Sequence, residues 1–373
     1  MPIRYGRFVN PVPLDLEVGL GFTVRQLGDN EECLVFATSR YSGEQEVEVV
    51  VATPSLSRRV LGRLPGQFLP VGTIVGDRLR GKVYVAGLAG IWEFPLEGGE
   101  PSLAAGLPDL PAASLKDVQQ AYGADAHWAP QKVGSPTYRW ALALDENANR
   151  LFAHCGQEGA LDHFVEISLD SRSIASKVRM PGFCAGIQVD AKRGMIVLPE
   201  LKEGPQILDL AGNRLAALSD GPELTRRSFW DATIRPNDGA VVLADDGGLW
   251  LWQWEQQKLT QLVEDATAPT CAPNGSLFFM RSSAELWMRE AGSQPRLVAR
   301  ALGNDGGTEF QRRRGWVMLP RLSNDGRYVL AQLTATRRTE AAEVVLHCGV
   351  VVDLTSGRVQ QVEGFFEHSV AWF

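Results

Sequence analysis

A unit of four short apolar runs separated by turn residues recurs along the chain, in four of six intervals at close to one period, and no other feature limits its folding so tightly. The clearest copy runs from Trp230 to Glu264. There DATIRP enters the turn Asn237-Asp238-Gly239, GAVVLADD leaves it, GLWLWQWE makes a third run and KLTQLVE a fourth. Asn274-Gly275 and Asn324-Asp325-Gly326 mark the same kind of turn, where a positive backbone φ reverses a hairpin tightly. Runs rich in β-branched and aromatic residues between such turns predict strands, and convincing long amphipathic helices are nearly absent. The chain is therefore expected to be all-β.

Third-strand anchors fall at Val49, Ile91, Val165, Ile207, Leu251, Leu286 and Val350, with successive differences of 42, 74, 42, 44, 35 and 64 residues. A period of roughly 40 to 45 residues with four strands per unit is the pattern of propeller blades. The 74-residue interval contains SLKDVQQAYGADAHWAPQKVGSPTY, which predicts a helical or loop insertion at about 109–138, between the second and third blades. The 64-residue interval holds LGNDGGTEFQRRRG and a long hairpin around TATRRTEAAE. The turn-bearing runs SNDGRYVLAQL and RPNDGAVVLADD, with the third-strand runs GLWLW, ELWM and GIWEF, resemble the β-propeller repeat superfamily, in particular its WD-repeat-like members. That resemblance is generic: the Trp-Asp dipeptide and the Gly-His pair of strict WD repeats are missing. One propeller domain over residues 1–373 is expected, with about seven four-stranded blades and eight as the alternative. The two termini should share a blade, because an open first or last blade would leave hydrogen-bonding edges bare.

Lys plus Arg number 37 against 44 for Asp plus Glu, a formal charge of -7 that disfavours generic nucleic-acid binding. The opening MPIRYGRFVNPVPLDLEVGLGF has no apolar run long enough for a signal peptide, and no window approaches 18 consecutive apolar residues. The five cysteines, Cys33, Cys155, Cys184, Cys271 and Cys348, are scattered through apolar runs. A reduced, cytoplasmic setting with buried thiols and no membrane span is the expectation.

Candidate chemistry is sparse. Gly76 to Lys82 copies the glycine and lysine spacing of a phosphate-binding loop, but Val83 stands where Ser or Thr should be and a strand follows, so it reads as a chance hairpin. His154, Glu158, Asp162 and His163 lie across one predicted hairpin and are the weak candidates for a metal site. Their spacing fits no established zinc or calcium pattern, so a polar loop is the favoured reading. Trp250, Trp252 and Trp254 alternate along one strand and read as core between blades.

The most suggestive feature lies where each fourth strand connects to the next first strand. Arg139 beside Trp140, Arg226 and Arg227 before Trp230, and Arg312, Arg313 and Arg314 before Trp316 put guanidinium and indole together at inner-strand entrances. In propeller topology these connections share a face with the second-to-third hairpins, where Arg337 and Arg338 are placed. Arginine beside indole binds carboxylates, phosphates or acidic protein surfaces through forked hydrogen bonds and stacking. Its dull alternative is tryptophan wedged between blades with solvated arginine around it.

The expectation for function is a noncatalytic propeller, without a cofactor, that captures a protein on this face. A narrower version is an inhibitor or immunity-type partner of a toxin or enzyme. The competing expectation is a metal-dependent hydrolase or lactonase acting on a small-molecule ligand in the central channel.

Overall fold

In the computed structural model, the described residues are 16–18, 34–41, 45–52, 58–65, 74–87, 89–110, 119, 137–156, 162–181, 187–199, 201, 204–220, 227–282, 284–301, 320–323, 326–338, 343–362 and 370–372. The chain begins with β1 (Leu16–Val18), β2 (Leu34–Tyr41), β3 (Gln45–Ala52) and β4 (Arg58–Pro65). Sheet 2 holds β5 (Ile74–Asp77), β6 (Lys82–Gly87), β7 (Gly90–Pro95) and β8 (Ser102–Gly106). Sheet 3 holds β9 (Thr137–Asp145), β10 (Arg150–Gly156), β11 (His163–Ser168) and β12 (Ser173–Arg179). Sheet 4 holds β13 (Gln188–Asp190), β14 (Met195–Leu198), β15 (Gln206–Asp209) and β16 (Arg214–Ala217). Sheet 5 holds β17 (Asp231–Ile234), β18 (Val241–Asp245), β19 (Gly248–Gln253) and β20 (Lys258–Glu264). Sheet 6 holds β21 (Thr267–Cys271), β22 (Leu277–Ser282), β23 (Glu285–Arg289) and β24 (Arg296–Ala301). Sheet 7 holds β25 (Arg321–Leu322), β26 (Tyr328–Arg338), β27 (Glu343–Asp353) and β28 (Val359–Val362). The last strand, β29 (Val370–Trp372), returns to the start and pairs with β2, making sheet 1 in the order β29-β2-β3-β4.

All the pairings are antiparallel between consecutive strands, except the two that involve the ends of the chain. Leu34, Val35 and Phe36 lie opposite Trp372, Ala371 and Val370, so both ends of the chain share one sheet, as the edge argument required. The other end-strand does something the repeat did not announce. β1 adds to the outer edge of sheet 6, with Leu16 opposite Ala301. Six sheets are therefore regular four-stranded blades, where the spacing predicted about seven, and sheet 6 has five strands. The described residues form no eighth sheet. All of the third-strand anchors sit on the third strand of their sheet. The insertion expected at 109–138 falls almost wholly outside the described residues.

Second strands are buried on both faces, as Val241–Asp245 and Met195–Leu198 show, because each blade is sandwiched between two others. Every apolar cluster draws on two neighbouring sheets. Phe152 and Phe164 of sheet 3 meet Ile196 and Leu198 of sheet 4; Val197 and Ile207 of sheet 4 meet Leu243 and Trp252 of sheet 5; Met280 and Leu286 of sheet 6 meet Val329 and Val352 of sheet 7. Trp252 is fully buried core between sheets 4 and 5, and Trp250 and Trp254 are half-buried against the same cluster.

The first-to-second turns share one face, here called lower, and touch in succession. Arg80 donates to the backbone oxygen of Glu146 at 3.0 Å, from sheet 2 to sheet 3, and Arg193 to that of Pro236, from sheet 4 to sheet 5. Gly76 to Lys82 is such a turn, with Arg80 also paired to the buried Asp77 at 3.1 Å, which leaves no helix N-terminus for a phosphate. Gly239 and Gly275 hold φ of 74° and 86° in the Asn-Asp-Gly and Asn-Gly turns.

Gly248 opens β19 with φ +129°, and a Cβ there would stand 2.1 Å from the Val263 oxygen on β20. Gly248→Ala must break that pairing or move the strand, at a cost of about 2–3 kcal/mol or more in chemical denaturation. Gly98→Ala, at φ +105° but with nothing within 4 Å, should cost about 1 kcal/mol.

Candidate functional site

The upper face carries the second-to-third hairpins and the fourth-to-first connections. Of the arginines and tryptophans expected there, Arg227 and Trp230 have described side chains. Arg139 is the third residue of β9, and Arg337 and Arg338 end β26 in ladder pairs with Val344 and Glu343, so the latter two belong to a strand and not to a loop. Arg226, Arg312, Arg313, Arg314 and Trp316 lie outside the described residues.

Arg227 does stack on an indole, but not on Trp230, three residues away. Its guanidinium carbon lies 4.0 Å from the ring centroid of Trp250, on β19. Asp245 at the end of β18 braces both partners, accepting from Arg227 Nη1 at 2.7 Å and from Trp250 Nε1 at 2.9 Å, while its Oδ1 also takes the Gly247 N–H at 2.8 Å. Trp230 instead donates its N–H to the Ala244 oxygen at 3.2 Å, continuing the sheet. The hairpin β18–β19 fixes this geometry, because Trp250 is the third residue of β19 and points back beside the turn.

Sheet 6 repeats the construction with residues that the sequence did not bring forward. Arg281 lies 4.3 Å from the ring centroid of Trp287, the third residue of β23. Trp287 Nε1 donates to Glu285 Oε2 at 2.8 Å, and Glu285 pairs with Arg300 at 2.7 Å. Both indoles are half-buried. Two neighbouring sheets thus present guanidinium over indole, each indole anchored by a carboxylate. The one sequence signal was a tryptophan recurring at the third position of β7, β19 and β23: Trp92, Trp250 and Trp287.

The two histidines among the metal candidates do not come together. His154 lies opposite Phe164 in the β10–β11 pair, whereas His163 lies opposite Cys155. Successive side chains of a strand leave opposite faces, so the two imidazoles project from opposite sides of sheet 3. His154 is fully buried with Nε2 3.1 Å from Asp162 Oδ2, a close contact that lacks the orientation of a hydrogen bond. Glu158 lies outside the described residues, and among those described no three His, Cys, Asp or Glu side chains gather as a metal site. Cys271 is equally unsuited to chemistry, since burial pushes its thiol up to about 12.

The first strands of successive sheets, β29, β5, β9, β13, β17, β21 and β25, lie against one another around the ring. Two residues before the last paired residue of each first strand stand Val75, Ala143, Gln188, Thr233, Thr270 and Arg321, all half-buried in contrast to the second strands. Asp231 sits two residues above Thr233 and is 8% exposed. Burial raises its carboxyl to about 7, against the pull of the Ala232 N–H, 2.8 Å from Oδ1, and of the Arg321 charge. Arg321 is held below the ordinary guanidinium value by its own burial, with Asp231 acting the other way.

No family model and no curated protein matches the chain. Solved structures do. A puromycin hydrolase matches over 91% of this chain and 53% of its own, with a TM-score of 0.58 and 13% identity. The fold is a β-propeller. The chain spans about half the length of that hydrolase, so the likeness concerns architecture alone. A protein from Lactobacillus plantarum matches over 92% of this chain and 99% of its own, with a TM-score of 0.50 and 12% identity. The WD40 β-propeller domain of Doa1 matches over 90% and 97%, with a TM-score of 0.48 and 10% identity.

Two outcomes follow from these sites. Asp245→Ala strands the Trp250 and Gly247 N–H groups and removes the Arg227 partner, so it should cost about 2–4 kcal/mol in chemical denaturation, with Asp245→Asn milder. Asp231 binds its proton more tightly when folded than unfolded. Its contribution is therefore fully present below about pH 4 and lost as pH rises towards 7, by up to about 4 kcal/mol. Measured as stability against pH, Asp231→Asn should gain on the natural protein between about pH 4 and 7 and run parallel to it above.

Proposed function

We propose that the protein is a noncatalytic binding propeller that captures another protein on its upper face. The observation that carries this reading is the pair of braced, half-buried guanidinium–indole stacks at equivalent places in sheets 5 and 6, Arg227 on Trp250 and Arg281 on Trp287. Tryptophan and arginine held rigidly at a surface lose little freedom on binding, which is why they dominate interface energetics. Long extensions stand near them. β26 and β27 run 11 residues each, against 5 and 6 in the β18–β19 pair, so the sheet 7 hairpin projects about 16 Å beyond its neighbours.

The arginines Arg226 and Arg312–Arg314, outside the described residues, enter this reading as its source of positive charge. An acidic protein surface is the complement such a charge would select. We place the protein in the cytoplasm, a setting in which the buried thiols of Cys155 and Cys271 stay reduced. An inhibitor or immunity-type role is the narrower form of the same reading.

Affinity purification from the native cell tests it. Arg227 is left in place, because it holds Asp245, and Arg226, Arg312 and Arg313 are reversed to Glu. The expected outcome is loss of the co-purifying protein with an unchanged melting temperature. Undiminished capture by the variant would overturn the assignment of this face.

A further inference from the structure

We infer that Arg281, lying over Trp287, is the docking point for a carboxylate of the captured protein, an aspartate or glutamate side chain of a kind that sheet 5 provides for itself and sheet 6 does not. The inference rests on the protein-binding reading above only for the source of that carboxylate.

The difference between the two stacks carries the inference. In sheet 5, Asp245 ends the second strand opposite Gly248, the first residue of the third, and in sheet 6 Ser282 holds the same place opposite Glu285. Both residues close their turn alike. Asp245 Oδ1 accepts the Gly247 N–H at 2.8 Å, and the Ser282 hydroxyl oxygen accepts the Ala284 N–H at 3.2 Å. Only the aspartate has a second oxygen, and that oxygen takes Arg227 at 2.7 Å. Serine has none to offer. Trp287 draws its anchor from Glu285 instead, whose other oxygen is held by Arg300 at 2.7 Å. Glu285 thus serves the indole and Arg300, not Arg281. Among the described residues Arg281 makes no hydrogen bond or ion pair, and its Nε is buried without an acceptor.

A guanidinium over an indole is held there through its charge, which leaves its N–H donors for other partners. With Nε shut off, the two Nη groups are the donors that an incoming group can meet, and a carboxylate takes such a pair as a fork. Sheet 5 shows which chemistry suits the arrangement, because there a carboxylate stands beside the stack and holds the guanidinium. The partner's carboxylate would stand to Arg281 as Asp245 stands to Arg227. Half-buried and fixed in advance on the ring, Arg281 loses little freedom when the contact forms. Arg227 is already paired, so the two stacks are unequal and sheet 6 carries the selective one.

An acetylated hexaglutamate peptide is the probe and hexaglutamine its uncharged control, each titrated into the full-length protein at about 0.15 M salt, where longer-range attraction is screened. The indole N–H resonances of Trp287 and Trp250 are followed by NMR in isotope-labelled protein. Hexaglutamate should shift the Trp287 resonance to saturation and leave that of Trp250 in place, since Asp245 already holds Arg227; hexaglutamine should shift neither. Arg281→Gln should weaken the peptide about tenfold or more, and so should Ser282→Asp, which supplies from within the carboxylate that the turn lacks. A silent Trp287, an equal response to hexaglutamine, a response to inorganic phosphate with none to hexaglutamate, or unweakened binding in either variant would overturn the proposal. Should Arg281→Gln not fold, as read by its melting curve, Ser282→Asp decides alone. The capture experiment stays separate: a silent Trp287 with capture lost on reversing Arg226, Arg312 and Arg313 sinks this contact alone, and a responsive Trp287 with undiminished capture sinks the wider reading alone.

Discussion

Each sheet of this molecule has two apolar faces and can bury them only against its two neighbours, so the ring must close for any blade to be stable. The clusters joining sheets 2 to 3, 3 to 4, 4 to 5, 5 to 6 and 6 to 7 each take buried residues from both sides of an inter-sheet boundary. A large side chain at such a boundary is worth about 1.5–3 kcal/mol of burial, and an end sheet lacking a neighbour would forfeit many of them. Closure rests on three residues, Val370–Trp372, which complete sheet 1 by pairing with β2. The addition of β1 to sheet 6 ties the other end of the chain two sheets further round, and it covers an outer edge that would otherwise be open to pairing.

The closed ring separates the charged residues by task. On the lower face the turn arginines are consumed in holding neighbouring sheets together, as Arg80 and Arg193 do. On the upper face Arg227 and Arg281 lie over indoles, with carboxylates placed to fix the rings.

The fold was legible because its signals are local. The turns at Gly239 and Gly275 need a positive φ whatever surrounds them, and the apolar third strands keep close to one period in four of the six intervals. The sites were legible only in part, because they depend on register and on the ring. Arg227 looked like a partner of Trp230, its neighbour in sequence, yet the β18–β19 hairpin delivers Trp250 to it. His154 and His163 span a single hairpin, but one residue of register places them on opposite faces. Arg281 had no arginine-tryptophan neighbour to draw attention to it; the recurrence of Trp92, Trp250 and Trp287 at one strand position was the available clue.

Deleting residues 368–373 removes β29 and leaves every other strand in the chain, so its thermal unfolding tests the closed ring most directly. A much lower, broadened transition is the expected result, since β2 and the face of sheet 1 would lose their inner partner. A sharp transition at the temperature of the intact chain would contradict the dependence of the fold on closure.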